Sequence, residues 1–200
     1  MAGVTMSRRA LLGGSVSAAV GASALDVVAR AAEQPEDASS AASAFAQDIV
    51  LKVNGADHHV QVEPRMTLVE VLRGPLGLSG TKIACNRGAC SACTIWLDGE
   101  PHLGCMTLAV EVGQRAVTTI EGLAKGDELG PIQAAFIEHD AMQCGFCTPG
   151  MAMAAAALIE RNPDPTADDV ERAIGGHICR CGSYPHVVAA TLAAAKARKG

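Results

Sequence analysis

Eight cysteines are the residues of this 200-residue chain whose spacing most clearly points to chemistry. The first four, Cys85, Cys90, Cys93 and Cys105, follow a C-x4-C-x2-C pattern with one more cysteine downstream. This spacing is typical of four-thiolate [2Fe-2S] sites, in which three thiolates from one loop converge on a small inorganic core. The residues between the first three cysteines include Gly88, Ala89, Ser91 and Ala92, which are small enough to let backbone amides approach the core. The pattern therefore predicts one [2Fe-2S] cluster at these four cysteines.

The other four cysteines fall in two short motifs far apart in the sequence. Cys144 and Cys147 form a C-x2-C pair in QCGFCTPG, and Cys179 and Cys181 form a C-x-C pair in HICRCG. A C-x-C pair spans too little chain to close comfortably on itself as a disulfide, so its thiols need a shared external ligand. We therefore expect the two loops to meet across a second cluster.

Three other arrangements of the thiols compete with two clusters. Eight cysteines are an even number, and an exported chain could pair them in disulfides, although the order of the spacings argues against this. Four thiolates could also hold zinc, although C-x-C pairs are unusual in zinc ribbons. A Rieske centre needs two histidines, and His177, two residues before Cys179, supplies at most one, in the reverse order.

Composition limits the classes of function. Residues AVILMFWYC make up 49% of the chain but aromatics only 2%, so small domains with aliphatic cores are expected. Bound clusters could stabilise such small domains by cross-linking them. The formal charge is −5 with no basic patch, which argues against a nucleic-acid partner. No nucleophile with an adjacent base, phosphate loop or catalytic carboxylate pair is recognisable, so no catalytic residue is predicted.

The N-terminal segment has the features of an export signal. Arg8 and Arg9 precede a modestly apolar run, and Ala29, Arg30 and Ala31 form an A-x-A cleavage site. Residues 1–31 are therefore predicted to be a twin-arginine signal peptide, with residues 32–47 as a flexible linker. Because this route carries folded proteins, clusters could be inserted in the cytoplasm before export to the periplasm, with only transient contact with the membrane. An uncleaved membrane anchor is the alternative.

The rest of the chain divides into two predicted domains of an α+β protein. In residues 48–123, alternating apolar residues flank an Asn54-Gly55 turn, a Thr67/Glu70 capping box starts a helix, and strands follow the cysteine loop. This order fits the β-grasp fold of plant-type ferredoxins, with Trp96 as a packed strand residue. In residues 124–200 the apolar period is helical and predicts a small four-helix bundle, with the cysteines in the loops between helices.

The two motif sets together resemble a known family. A C-x4-C-x2-C…C domain followed by a helical domain with QCGFCTPG and ICRCG-x-Y is similar to the small iron-sulfur subunit of the molybdenum hydroxylases, the xanthine oxidase family. The resemblance covers residues 48–199 and is strongest to aldehyde oxidoreductase members. It implies an electron-transfer subunit of an enzyme that oxidises aldehydes or related aromatic heterocycles, with the substrate chemistry on a partner. A standalone ferredoxin-like electron carrier is the alternative.

The resemblance also implies roles for individual residues. The second four cysteines would hold the cluster nearer a molybdenum cofactor in a large partner subunit, and Gln143 and Cys181 would contact the pterin of that cofactor. The first four would hold the cluster that passes electrons to an FAD subunit or another acceptor. The family usually has glycine where this chain has Ala84 and Ser91. Positive φ at these positions would strain the backbone and bears on the potential of that cluster.

Overall fold

The computed structural model describes residues 45–198. The predicted signal peptide, residues 1–31, and residues 32–44 of the predicted linker lie outside the described residues. The described chain belongs to one compact unit. None of its helices between residues 45 and 198 has both the length and the apolar character needed to cross a bilayer.

A mixed five-stranded sheet forms the N-terminal half. Its strands are β1 (Gln47–Val53), β2 (Ala56–Val62), β3 (Thr94–Leu97), β4 (Glu100–Leu103) and β5 (Ala116–Thr118). Their order is β2-β1-β5-β3-β4, and the only parallel pairing described is between β1 and β5. Pairing the first and last strands in parallel brings β5 into the middle of the sheet, between the two hairpins.

Both hairpins close through two-residue turns, the first of which is the predicted Asn54-Gly55 turn. Asn54 and Gly55 have φ of 52° and 83°, and Asp98 and Gly99 have φ of 52° and 84°. Positive φ at both central residues is the requirement of the type I′ turn, which matches the twist of the flanking strands. The sequence did not predict β4, because Pro101 disfavours a strand. The strand lies at the sheet edge, where proline's missing N–H is tolerated.

Helix α1 (Leu68–Arg73) packs against the sheet with the apolar face that the sequence predicts. The Glu70 carboxylate accepts hydrogen bonds from the Thr67 amide at 2.8 Å and the Thr67 hydroxyl at 2.7 Å, so the predicted capping pair forms. The long loop from α1 to β3 carries three of the first four cysteines.

The C-terminal half contains four α-helices, whose bounds are α2 (Pro131–Glu138), α3 (Thr148–Arg161), α4 (Ala167–Ile174) and α5 (Tyr184–Ala197). Their common core is aliphatic apart from Phe136, and α3 is buried along most of its length. A core with few aromatic side chains fills its interior only if the helices lie close together, and small alanine side chains allow this approach. Sheet and helices together make the protein α+β, as predicted.

The helical half packs directly on the sheet. Trp96 of β3 donates its indole N–H to the Met153 carbonyl of α3 at 3.0 Å, and Arg161 pairs with Glu100 of β4 at 2.9 Å. Trp96 is therefore a packed strand residue, as predicted, and lies at the junction of the two halves. This junction fixes the cysteine loops of both halves relative to one another.

Candidate metal centres

The first cysteine set is Cys85, Cys90, Cys93 and Cys105. The α1–β3 loop supplies the first three, and Cys105 lies on a 3-10 turn at Gly104–Met106, directly after β4. Cys93 and Cys105 are 3% and 6% exposed and pack against Val69 of α1. The thiols contact in pairs, Cys85 with Cys90 and Cys93 with Cys105. The structure thus brings together the four cysteines that the spacing selects.

The loop around the first cysteine set is shaped to stabilise negative charge on sulfur. Asn86, Gly88 and Ser91 have φ of 49°, 75° and 56°, and the Ala89 amide donates to Cys85 Sγ at 3.3 Å. Hydrogen bonds from the backbone at Arg87, the Cys90 thiol and the Ala89 amide lower the pKa of Cys85 to about 7. Amides that stabilise a thiolate equally suit the sulfurs of a bound cluster.

The pKa of Cys93, which is buried in the same set, shifts in the opposite direction from that of Cys85. Burial raises the pKa of Cys93 to about 12, and the neighbouring Cys105 thiol adds to the increase. A buried thiolate next to a second thiol needs positive charge nearby, which iron ions would supply.

The two positions that differ from the family pattern behave differently. Ser91 has a φ of 56°, so the expected backbone strain is present at this position. Ala84 is not among the described residues with positive φ, so its substitution introduces no such strain. The Ser91 carbonyl accepts hydrogen bonds from the Thr94 amide at 3.2 Å and hydroxyl at 2.8 Å, which hold the strained residue in place.

The second cysteine set is Cys144, Cys147, Cys179 and Cys181. Cys144 and Cys147 end the α2–α3 loop, and Cys179 and Cys181 lie in the α4–α5 loop. Cys147 contacts Cys179, so the two loops meet, as expected. Cys181 is partly buried two residues further along, and Cys144 is exposed.

Hydrogen bonds shape the second set as amides shape the first. Burial raises the pKa of Cys147 to about 12. Burial also acts to raise the pKa of Cys179, but hydrogen bonds from Ser183, Cys147 and the Gly182 amide lower it to about 6. The Tyr184 hydroxyl accepts from the Cys179 amide at 2.8 Å and donates to the His177 carbonyl at 2.9 Å. Tyr184 therefore ties the first residues of the α4–α5 loop to the start of α5.

The donor set fits two-iron clusters better than the competing arrangements. All eight cysteines are free thiols, which disfavours the disulfide alternative. Zinc needs four ligands around one point, whereas a two-iron core takes its thiolates in pairs, and the first set contacts as two such pairs. The buried Thr148 hydroxyl, next to Cys147, has no partner in the protein, which also suits a bound group there.

His177 is not placed as a Rieske ligand. Its Nε2 lies 3.1 Å from Thr94 Oγ1, and the Thr94 hydroxyl already donates to the Ser91 carbonyl. Nε2 must therefore carry the proton and donate to Thr94. Burial lowers the pKa of His177, which keeps the ring neutral.

One main-chain hydrogen bond joins the two cysteine sets. The Ile178 amide donates to the Cys90 carbonyl at 3.2 Å. Cys90 belongs to the first set, and Ile178 directly precedes Cys179 of the second. Sequence reasoning missed this contact because it involves backbone atoms only, which leave no signal in residue types. It also missed Ser183, whose hydroxyl lies 3.3 Å from Cys179 Sγ.

Gln143, the other residue predicted to contact a cofactor, lies at the surface beside exposed Cys144. Phe146 and Ile178, each next to a cysteine of the second set, are 47% and 61% exposed. The second set is thus surrounded by exposed apolar side chains, which are unusual on a surface that stays in water.

Comparisons with known proteins agree with two cluster sites. Residues 51–118 match the family described as "2Fe-2S iron-sulfur cluster binding domain", and residues 119–192 match the "[2Fe-2S] binding domain" family. Each match contains one complete cysteine set.

Individual relatives match most of the chain. The nicotine 6-hydroxylase small subunit of Paenarthrobacter nicotinovorans is 44% identical over 145 residues, covering 72% of this chain and 87% of the relative. The aldehyde oxidoreductase iron-sulfur-binding subunit PaoA of Escherichia coli (strain K12) is 41% identical over 157 residues, covering 71% and 69%. A chain of quinoline 2-oxidoreductase from Pseudomonas putida 86 superposes with a TM-score of 0.75 at 41% identity, covering 78% and 99%. This chain therefore belongs to the small [2Fe-2S] subunits of the molybdenum hydroxylases, the xanthine oxidase family.

Proposed function

We propose that this chain carries electrons out of a molybdenum-cofactor oxidoreductase that oxidises aldehydes or related aromatic heterocycles. The relatives named above, an aldehyde oxidoreductase subunit, a nicotine hydroxylase subunit and a quinoline oxidoreductase chain, support this class of substrate. When bound, each [2Fe-2S] cluster supplies a centre that accepts and releases one electron at a time. The protein positions two such centres, and its fold buries Cys93, Cys105 and Cys147 among their ligands.

The hydrogen bond from Ile178 to Cys90 is the observation that carries this proposal. It connects the two cysteine sets through Cys179, the adjoining Ile178 amide and the Cys90 carbonyl. A short route of covalent and hydrogen bonds suits electron transfer between the two centres. The residues therefore connect the two sites in series.

The exposed surface around the second cysteine set suits a large partner subunit. Phe146 and Ile178 present apolar area beside the thiols, and docking would remove it from water. Gln143 and Cys181 would then contact the pterin of the partner's molybdenum cofactor. Gln143 is exposed, and its amide can both donate and accept hydrogen bonds.

The first cysteine set would face the electron acceptor. Arg87 and Met106 are exposed beside it, so this surface too is available for contact. We propose a medium FAD subunit as this acceptor. Reduction of purified FAD subunit by the substrate-treated complex tests this, and no flavin reduction would argue for a different acceptor.

We further propose that residues 48–123 form a β-grasp domain and residues 124–200 a four-helix bundle. The strand order with parallel β1 and β5, and α1 packed across the sheet, support the first assignment. The shared core of α2, α3, α4 and α5 supports the second.

Residues 1–31 are proposed to direct twin-arginine export to the periplasm, followed by a linker at residues 32–47. The adjacent Arg8 and Arg9 support this proposal, since export in the folded state suits a chain loaded with clusters. Replacing both arginines with lysine should leave folded protein in the cytoplasm in cell fractionation. Normal periplasmic yield of the variant would contradict the assignment.

Cysteine variants test the electron-transfer role. Cys144→Ser and Cys181→Ser should stop turnover of aldehyde with the natural acceptor, while substrate still reduces the partner's molybdenum centre. Ala189→Ser, on the exposed surface of α5, introduces the same side chain without removing a thiol and serves as the control. Paramagnetic resonance of the reduced wild-type complex should show two distinct [2Fe-2S] species. Unchanged turnover in both cysteine variants would refute the proposed electron-transfer route. A monomeric chain that holds both clusters without copurifying subunits would favour a standalone carrier.

A further inference from the structure

Ser183 occupies a helix-capping position without capping the helix. It directly precedes α5, where a serine hydroxyl normally accepts a hydrogen bond from a helix amide, but its side chain makes no such bond. Its Oγ instead lies 3.3 Å from Cys179 Sγ, and the residue is 2% exposed. Thr166, at the equivalent position of α4, does accept a bond from the Asp169 amide, at 3.2 Å. The Ser183 hydroxyl is therefore committed to the thiol.

The direction of this hydrogen bond follows from the chemistry of the ligand. A cysteine bound to iron is a thiolate and has no proton to donate, so Ser183 Oγ–H must be the donor and Cys179 Sγ the acceptor. The donor, Ser183, is buried, so water does not compete for its hydroxyl, and hydrogen bonds to charged acceptors are the stronger ones.

We propose that Ser183 sets the reduction potential of the cluster at the second cysteine set by donating this hydrogen bond to Cys179. One electron enters this site from the partner's reduced centre and one leaves toward the first set, while the hydroxyl proton stays on Ser183. The reduced site carries one more negative charge than the oxidised site, so donation to its sulfur stabilises the reduced form more. Ser183 thereby makes the site a better acceptor for electrons from the partner. This inference rests on the proposed function.

Ser183→Ala tests the proposal in the purified complex of the full chain with its partner subunits. The measurement is a redox titration of each cluster followed by paramagnetic resonance. We expect the ratio of reduced to oxidised second cluster at a fixed ambient potential to fall about tenfold, on the scale of a hydrogen bond to a charged group. This corresponds to about 59 mV toward more negative potential for a one-electron couple. The potential of the first cluster should not change.

Further variants separate this effect from helix capping. Ser183→Gly also removes the hydroxyl but suits the start of a helix, so it should shift the potential as Ser183→Ala does. Ser183→Thr keeps a hydroxyl and should retain the wild-type potential. Thr166→Ala removes a genuine cap and should lower stability without changing either potential.

The outcomes distinguish this inference from the proposed function. Two clusters with an unshifted second potential in both hydroxyl-free variants would overturn the inference alone. An equal shift in the reduction potentials of both clusters would also overturn the inference, because a general loss of structural order would then be the cause. Wild-type complex with fewer than two clusters in this chain would overturn the proposed function, and this inference with it.

Discussion

Gly150 lies in the first turn of α3, where the helix passes against the backbone of the first cysteine loop. A Cβ at this position would overlap the Ser91 carbonyl oxygen and lie 3.2 Å from Ala92 Cα. These are backbone atoms, which cannot rotate away, and two hydrogen bonds from Thr94 also hold the Ser91 carbonyl in place. Gly150→Ala must therefore push α3 away from the loop that carries the first cysteine set.

Two opposing effects determine the size of the change. Replacing glycine by alanine in a helix gains up to about 1 kcal/mol. Overpacking a close contact costs about 1–3 kcal/mol, and the upper part of this range applies where backbone opposes backbone. The free energy of unfolding should therefore fall by about 1–2 kcal/mol, and the melting temperature by about 2–8 °C for a chain of this size.

Thermal unfolding of the cluster-loaded chain, followed by circular dichroism, measures this difference. Gly176→Ala is a matched control, because its Cβ would lie 3.4 Å from Ser91 Oγ, an ordinary contact with a side chain that can rotate. The control should melt within about 2 °C of wild type, as expected for a surface substitution. A Gly150→Ala variant that melts at or above the wild-type temperature would show that the two halves do not approach as closely as described.

Two further predictions concern the cap of α4 and the junction of the halves. Hydrogen bonds from the Thr166 hydroxyl, the Thr166 amide and Arg172 lower the pKa of Asp169 to about 2. Because the pKa in the unfolded chain is about 4, the ionised carboxylate contributes its full stabilisation above pH 4. This contribution is lost as the pH falls toward 2. Asp169→Asn should thus be less stable than wild type at pH 7 and 5, with a smaller difference at pH 3.5; a difference in urea midpoint that does not depend on pH would contradict this. Trp96→Phe should lose about 1 kcal/mol with the indole hydrogen bond to Met153, measured by urea unfolding, and an unchanged midpoint would mean that this bond contributes nothing.

Local features of the sequence account for most of what could be predicted. The Asn54-Gly55 turn and the Thr67/Glu70 cap form as predicted because each depends on residues close together in the chain. Edge strand β4 could not be predicted in this way, because only its position in the sheet makes Pro101 acceptable.

The cysteine spacings by themselves determined that eight thiols form two sets and which chemistry those sets suit. Only the tertiary structure decided how the sets are connected, because the Ile178 bond to Cys90 joins backbone atoms more than 50 residues apart. Backbone atoms are the same in every residue type, so such contacts leave no pattern in the sequence. The redirected hydroxyl of Ser183 is a similar case: its residue type fits a helix cap, and only the position of Cys179 Sγ gives it another partner.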